Sequence, residues 1–201
     1  MNEQTGRAAA ELADARCDVV ATACLVALMA QGPGFHCTAE DQIREVLRAE
    51  GALVPVVSSA GALLDGLRAL GARKIAMVTP YEKPLTKLVA EYIEAGGVEV
   101  HDALSLEVAN NLDVAALDPI DLQEHWRKLD LSGCDALVLS ACVQMPSLPV
   151  IEAAEARLGR PVLSSATATV YQILRRLGLP PLAPGAGRLL TGALGVLEVR
   201  G

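Results

Sequence analysis

CDALVLSACVQMPSLP, residues 134–149, is an apolar run that breaks at a cysteine into a turn punctuated by two prolines. The part from 135 to 142 reads as a strand covered on both faces, the pattern of a parallel sheet with helices on each side. A thiol at such a strand end has two readings. It is a small buried packing residue, or it is a nucleophile or acid/base, because ligands of open α/β sheets gather at the carboxyl ends of the strands. A second copy of the pattern decides the architecture. CDVVATACLV (17–26) repeats CDALVLSACVQ (134–144) with one residue of slip. Each copy is followed by a helical pattern and then by PVVSSA (55–60) or PVLSSA (161–166). Each continues into a helix ending in LRALG or LRRLG. Two related halves would set the two cysteines, Cys24 and Cys142, facing each other across one cleft.

The remaining segments alternate in the same way. Strands are expected over 19–26, 53–59, 74–80, 98–108, 135–142 and 161–165. Helices are expected over 39–51, 60–71, from Pro84 to Gly96, and over 121–130, 148–159 and 167–178. The polar N-terminus is helix-prone as well. Alternation of this kind specifies an α/β fold: two pseudosymmetric Rossmann-like half-domains with parallel sheets and an active site in the cleft between them. The halves divide as 1–72 plus 183–201, and 73–182. The second half has a strand, helix, strand and helix (74–130) before its cysteine strand, whereas the first has one short helix. The first half therefore reads as incomplete, with apolar surface expected at its short sheet and dimerisation, or poor solubility, as the consequence unless the N-terminal helix covers it.

Composition narrows the function. Hydrophobic residues make up 52% and aromatics 2% of the 201 residues, so the core is aliphatic and base stacking is a poor basis for binding. The formal charge is −7 with no basic cluster, which argues against nucleic acid and anionic membranes as partners. No run reaches the length of a membrane span and the N-terminus is no signal peptide, so a cytoplasmic location is expected. The five cysteines are odd in number and form no CxxC, which reads as free thiols and no metal site.

Several residues carry a bland reading beside the chemical one. Cys17 and Cys134 precede strands and read as packing or surface residues. Cys37 follows His36 in a loop, but adjacent residues rarely point at each other. Ser58, Ser59, Ser164 and Ser165 end strands before helices and read as N-caps. Tyr81 ends a strand in a Pro-flanked turn, where a half-buried tyrosine often uses only its polar tip. Asn111 lies in a loop, where asparagine often only shapes a turn. His101 and His125 read as ordinary surface or strand residues, and Trp126 as core.

CVQMPSLP, ATACLVALMAQGPG, SSAGALLDGLRALG, VTPYEKPL, EVANNLDVAALDP, SSATATVYQILR and PGAGRLL together resemble the maleate cis–trans isomerase family of the aspartate/glutamate racemase superfamily. The resemblance covers nearly the whole chain. It implies that Cys24, in TACLVALM, is the nucleophile and Cys142 the acid/base partner. It implies that Tyr81 and Asn111 bind substrate. Members open with a strand ending in a Pro-Ser-Asn turn, and no such segment stands in this sequence. Two alternatives stand beside this reading: a related two-cysteine racemase or decarboxylase, which CVQMPSLP disfavours, and a silent truncated relative acting as a structural or binding protein, which the absent segment supports.

The chemistry suits these residues. A thiolate is soft, strongly nucleophilic and a good leaving group, so it can add to a cis-enedioate, allow rotation, and depart. Neither a cofactor nor a redox change is needed. The site must favour the thiolate without a neighbouring Lys or Arg, since none stands beside either cysteine. Backbone N–H groups just after each cysteine, at Val26 and Val143, are the available donors for charge and for the carboxylates of a small dicarboxylate such as maleate. The expected assembly is a homodimer.

Overall fold

The computed structural model describes residues 3–194. The chain begins with α1 (Glu3–Asp14), β1 (Val20–Thr22), α2 (Leu25–Met29), α3 (Phe35–Ala49), β2 (Val56–Ser58) and α4 (Ser59–Ala69). It continues with β3 (Lys74–Thr79), α5 (Lys83–Ala95), β4 (Glu99–Ser105), α6 (Asn111–Val114), α7 (Leu122–His125) and β5 (Ala136–Ser140). It closes with α8 (Leu148–Leu158), β6 (Val162–Ser164) and α9 (Ser165–Arg176). All strand pairings within these strands are parallel. β1 and β2 form one two-stranded sheet; the other has the order β4-β3-β5-β6. The α/β architecture and the inequality of the two sheets match the sequence reading.

β3 and β5 are buried along almost their whole length, as strands covered on both faces must be. β4 is the edge of its sheet and is only half-buried, and its polar Glu99, His101 and Asp102 blunt that edge. One apolar cluster joins the halves: Leu25, Leu63 and Leu67 of the first lie in it with Met77, Leu163 and Tyr171 of the second. Its centre is the crossing of α4 and α9, the most extensive helix–helix packing among the described residues. Across it Gln172 Nε2 donates to Asp65 Oδ2 at 2.7 Å.

The structure corrects several expectations. β1 stops at Thr22, because Cys24 caps α2 and Leu25–Val26 are helical. His36 and Cys37 lie in the first turns of α3, not in a loop. The helix expected over 121–130 is broken into α7 and two flanking 3₁₀ turns, since Pro119 and the capping Asp118 fix a tight entry. Trp126 is core as expected. At the short sheet the N-terminal helix supplies part of the cover allowed for in the sequence reading, while Leu53 beside β2 stays exposed. α1 lays Ala9 against Val20, Ile43, Leu47 and Val56. Large exposed apolar side chains occur in both halves: Leu12 and Leu53 in the first, Leu53 just ahead of β2, and Leu112, Ile120, Leu148, Val170, Leu179 and Leu182 in the second. Residues 183–194 pack against β6 and α9 of the second half and, through Leu189, beside Gly66 of α4 in the first. Residues 195–201 lie outside the described residues.

Leu67 is fully buried in the shared cluster. Leu67→Ala is expected to destabilise the chain by about 2–5 kcal/mol through lost transfer energy and the cavity left behind. The measurement is a urea titration, with the midpoint lowered at unchanged slope.

Candidate active site

The site is assembled from three strand ends. β3 and β5 are neighbours, with Ile75 opposite Ala136 and Met77 opposite Val138. Their carboxyl ends therefore lie side by side, and Tyr81 and Cys142 stand two residues beyond them. Cys24 stands two residues beyond β1, in the other half. The Tyr81 phenol is within hydrogen-bond reach of the Cys142 thiol and also feels the charge of Cys24. The structure thus brings together Cys24, Tyr81 and Cys142, all three named from the sequence.

The two thiols differ in surroundings. Cys142 is 6% exposed and packs with Val114, Met145 and Val78. Cys24 is exposed. It makes no side-chain capping bond, so the first-turn N–H of Val26 is not taken up by it. It lines a cavity of about 420 Å³ with Thr5, Thr22, Leu28 and Phe35.

Tyr81 is held by hydroxyls buried beneath it. Its carbonyl accepts from Ser105 Oγ, from the Glu107 N–H at 3.2 Å and from Thr86 Oγ1 at 3.4 Å. Thr86 Oγ1 in turn meets Thr79 Oγ1 at 2.6 Å. This polar chain fixes the turn after β3 and so aims the phenol. Burial raises the Tyr81 pKa far above the usual phenol value, and the negative charge of Cys142 and then Cys24 pushes the same way. No cation figures among the groups acting on it. Tyr81 is therefore a neutral hydrogen-bond donor throughout the ordinary pH range.

Asn111 opens α6 and is exposed. The turn-making duty falls on Asn110, whose Oδ1 accepts the Leu112 N–H at 3.1 Å. The Asn111 carbonyl accepts from Gln144 Nε2 at 2.7 Å, which ties α6 to the turn carrying Cys142. Val143, next to Cys142, is half-buried, and its N–H donates to no group among the described residues.

Other candidates fall elsewhere. His36 Nδ1 meets Tyr92 Oη at 2.5 Å, so it is engaged away from Cys37, which is exposed. Ser58 caps α4 and Ser164 caps α9 with a full capping box, as read from sequence. Ser59 and Ser165 are not caps; their hydroxyls are buried without partners. Cys134 is buried packing, and Cys17 is half-buried. His101 sits on the surface beside Asp130, at 3.1 Å. No cluster with metal-ligand character occurs among the described residues. Sequence reading missed Ser140, which is wholly buried and whose hydroxyl donates to the Cys142 carbonyl at 2.7 Å. It also missed the Thr79–Thr86–Ser105 chain. Small hydroxyls inside strands and helices carry no periodic signal of their own.

The chain is similar to known proteins over nearly its whole described length. The arylmalonate decarboxylase (Amdase) family model matches residues 2–190. The maleate isomerase of Geobacillus stearothermophilus is 56% identical over 192 residues, 96% of this chain and 76% of that protein. Among solved structures, a cysteine-to-alanine variant of the maleate isomerase of Pseudomonas putida S16 with maleate superposes with a TM-score of 0.93 at 48% identity, covering 94% of this chain and 76% of that one. A cysteine-to-serine variant of the Nocardia farcinica maleate cis–trans isomerase, with a covalently bound succinylcysteine intermediate, superposes with a TM-score of 0.92 at 51% identity, covering 94% and 78%.

The raised pKa of Tyr81 gives a spectroscopic expectation with a definite sign. An unperturbed phenol ionises near pH ~10. Raising the pH of the native chain through that value should leave Tyr81 protonated, so wild type and Tyr81→Phe release the same phenolate absorbance. After denaturation, the wild type should show one phenolate more.

Proposed function

We propose that this chain, which belongs to the arylmalonate decarboxylase family and within it to the maleate isomerases, converts maleate to fumarate through a transient bond between Cys24 and the substrate. The observation that carries the reading is the convergence of two thiols and one neutral phenol at three strand ends, with no cation among the groups that act on the phenol.

The Cys24 thiolate adds to C2, and the C2=C3 π bond breaks. The electron pair moves to C3 and is delocalised into the carboxylate on that carbon. Cys142 delivers a proton to C3, which leaves a succinyl thioether on Cys24. C2–C3 is now a single bond and rotates. Cys142 takes a proton back from C3, the double bond re-forms, and Cys24 leaves as thiolate with fumarate released. Electrons and protons balance within the cycle, so no external oxidant, reductant or cofactor takes part. Tyr81 donates a hydrogen bond to Cys142 or to the carboxylate passing beside it. The N–H groups of Val26 and Val143 and the amide of Asn111 hold the carboxylates. Held by neutral donors, the dianion can turn; a bidentate Arg clamp would resist that motion.

Two support points concern setting. No helix among the described residues is long and apolar enough to cross a membrane, and the five cysteines are free thiols, which supports action in the reducing cytoplasm. Exposed Leu148, Val170 and Leu182 in the second half support a homodimer. The sheets support a division of the chain near residue 73, with each half supplying one thiol.

The test is proton NMR of maleate incubated with the chain. Fumarate should appear. Cys24→Ala should abolish turnover, and Cys142→Ala should lower kcat by about 10²–10⁴-fold, the span of a lost acid/base group. Racemisation of an amino acid without enedioate turnover would move the assignment to the two-cysteine racemases. A folded chain inert to both substrates would make it a silent relative.

A further inference from the structure

We infer that Ser140 is a positioning residue that turns the peptide between Cys142 and Val143 so that its N–H faces the cleft. This rests on the reading of the cleft as a dicarboxylate site. Ser140 is the last residue of β5 and is completely buried. The β5–β6 register slips between Val138 and Ser140, so Ser140 stands opposite Ser164. Such an irregularity at a strand end re-aims the residues beyond it. The Ser140 hydroxyl donates to the Cys142 carbonyl at 2.7 Å, with the Met145 carbonyl at 3.5 Å as a weaker second acceptor. The chain has no cis peptide among the described residues. In a trans peptide the carbonyl and the next N–H point in opposite directions. Holding the Cys142 carbonyl toward the Ser140 hydroxyl therefore sends the Val143 N–H the opposite way, away from the end of β5. That N–H has no acceptor among the described residues, as a group reserved for an external anion would have none.

The internal repeat sharpens the point. Ser140-Ala141-Cys142 corresponds to Thr22-Ala23-Cys24. Thr22 makes no such bond to the Cys24 carbonyl among the described residues, and Cys24 is followed directly by a helix. The hydroxyl clamp belongs to the second half alone. It stands in for the order that α2 supplies after Cys24, because residues 141–147 have no regular structure of their own.

The experiment compares Ser140→Thr with Ser140→Val. Both side chains add the same volume to a closed site, and only Thr keeps the hydroxyl, so a packing effect moves them together. Two readouts are taken on variants shown to be folded by their thermal midpoints. The first is kcat/KM for maleate, expected to be about 10-fold or more lower in Val than in Thr, a milder loss than deleting an oxyanion donor outright. The second is the ratio of Cys142 alkylation rates by iodoacetate and by iodoacetamide, followed by peptide mass spectrometry. A Val143 N–H that receives a carboxylate favours the anionic reagent, so Thr should retain the wild-type ratio and Val should lose it. Equal ratios in Thr and Val would overturn the inference whatever the turnover. A ratio that separates Thr from Val in a chain without maleate turnover would uphold it and overturn the isomerase reading.

Discussion

Everything at the site depends on how closely α4 crosses α9. The thiols belong to different halves, and neither half could fix the distance to the other by itself. The crossing is made close by Gly66, where an added Cβ would stand 3.2 Å from the Ala168 Cβ and 3.3 Å from Leu189 Cδ2. Contacts that short force neighbours to shift. Gly66 costs helix propensity, and the close packing of the two helices offsets it. The shared apolar cluster then extends without a break from Leu25, beside Cys24, to Val138, two residues before the turn of Cys142. A hinge between the halves would have to open that cluster, so the cleft is held as a fixed geometry.

The proposed dicarboxylate site would work through neutral donors. A cation beside a thiol would favour the thiolate but would also bind a carboxylate tightly. The residues that surround Tyr81 contribute burial and negative charge, both of which keep its proton in place. Donors are then phenol, amide and backbone N–H, each worth less than a charged pair and each replaceable by the next as a substrate turns. The backbone donors need no side-chain entropy to be lost on binding, because the turns after β1 and β5 are already ordered by α2 and by Ser140.

Much of this was legible in the sequence because the segments around β1 and β5 are apolar runs with cysteines at their ends. β3 and β5, Pro84 at the head of α5, and the capping serines of α4 and α9 all follow from local signals. The repeat supplied the pairing of Cys24 with Cys142, which no local signal gives. What failed was short or tertiary. α2 has five residues and α6 four, too few for a helical period to show. The 121–130 segment has helical composition, yet Pro119 and the burial of Leu122 and Trp126 against β5 impose 3₁₀ turns. The engagement of His36 by Tyr92 joins residues distant in sequence, and no spacing rule announces it.

The unlike burial of the two thiols favours the division of labour proposed for them. An addition step needs a nucleophile that substrate can approach along a line, and departure needs room for the adduct to rotate. Cys24 is the exposed thiol of the two, which suits that approach. A proton carrier has the opposite requirement: it must exchange one proton with one carbon and not with water. Cys142, 6% exposed beneath Tyr81 and walled by Val114 and Met145, is shielded in that way. Exchanging the roles would place the adduct in the tight pocket and the proton in the open one, losing both rotation and proton retention. Starting from pseudosymmetric halves, the fold thus arrives at two cysteines in unequal surroundings by packing alone, with helix α2 ordering one strand end and a buried hydroxyl ordering the other.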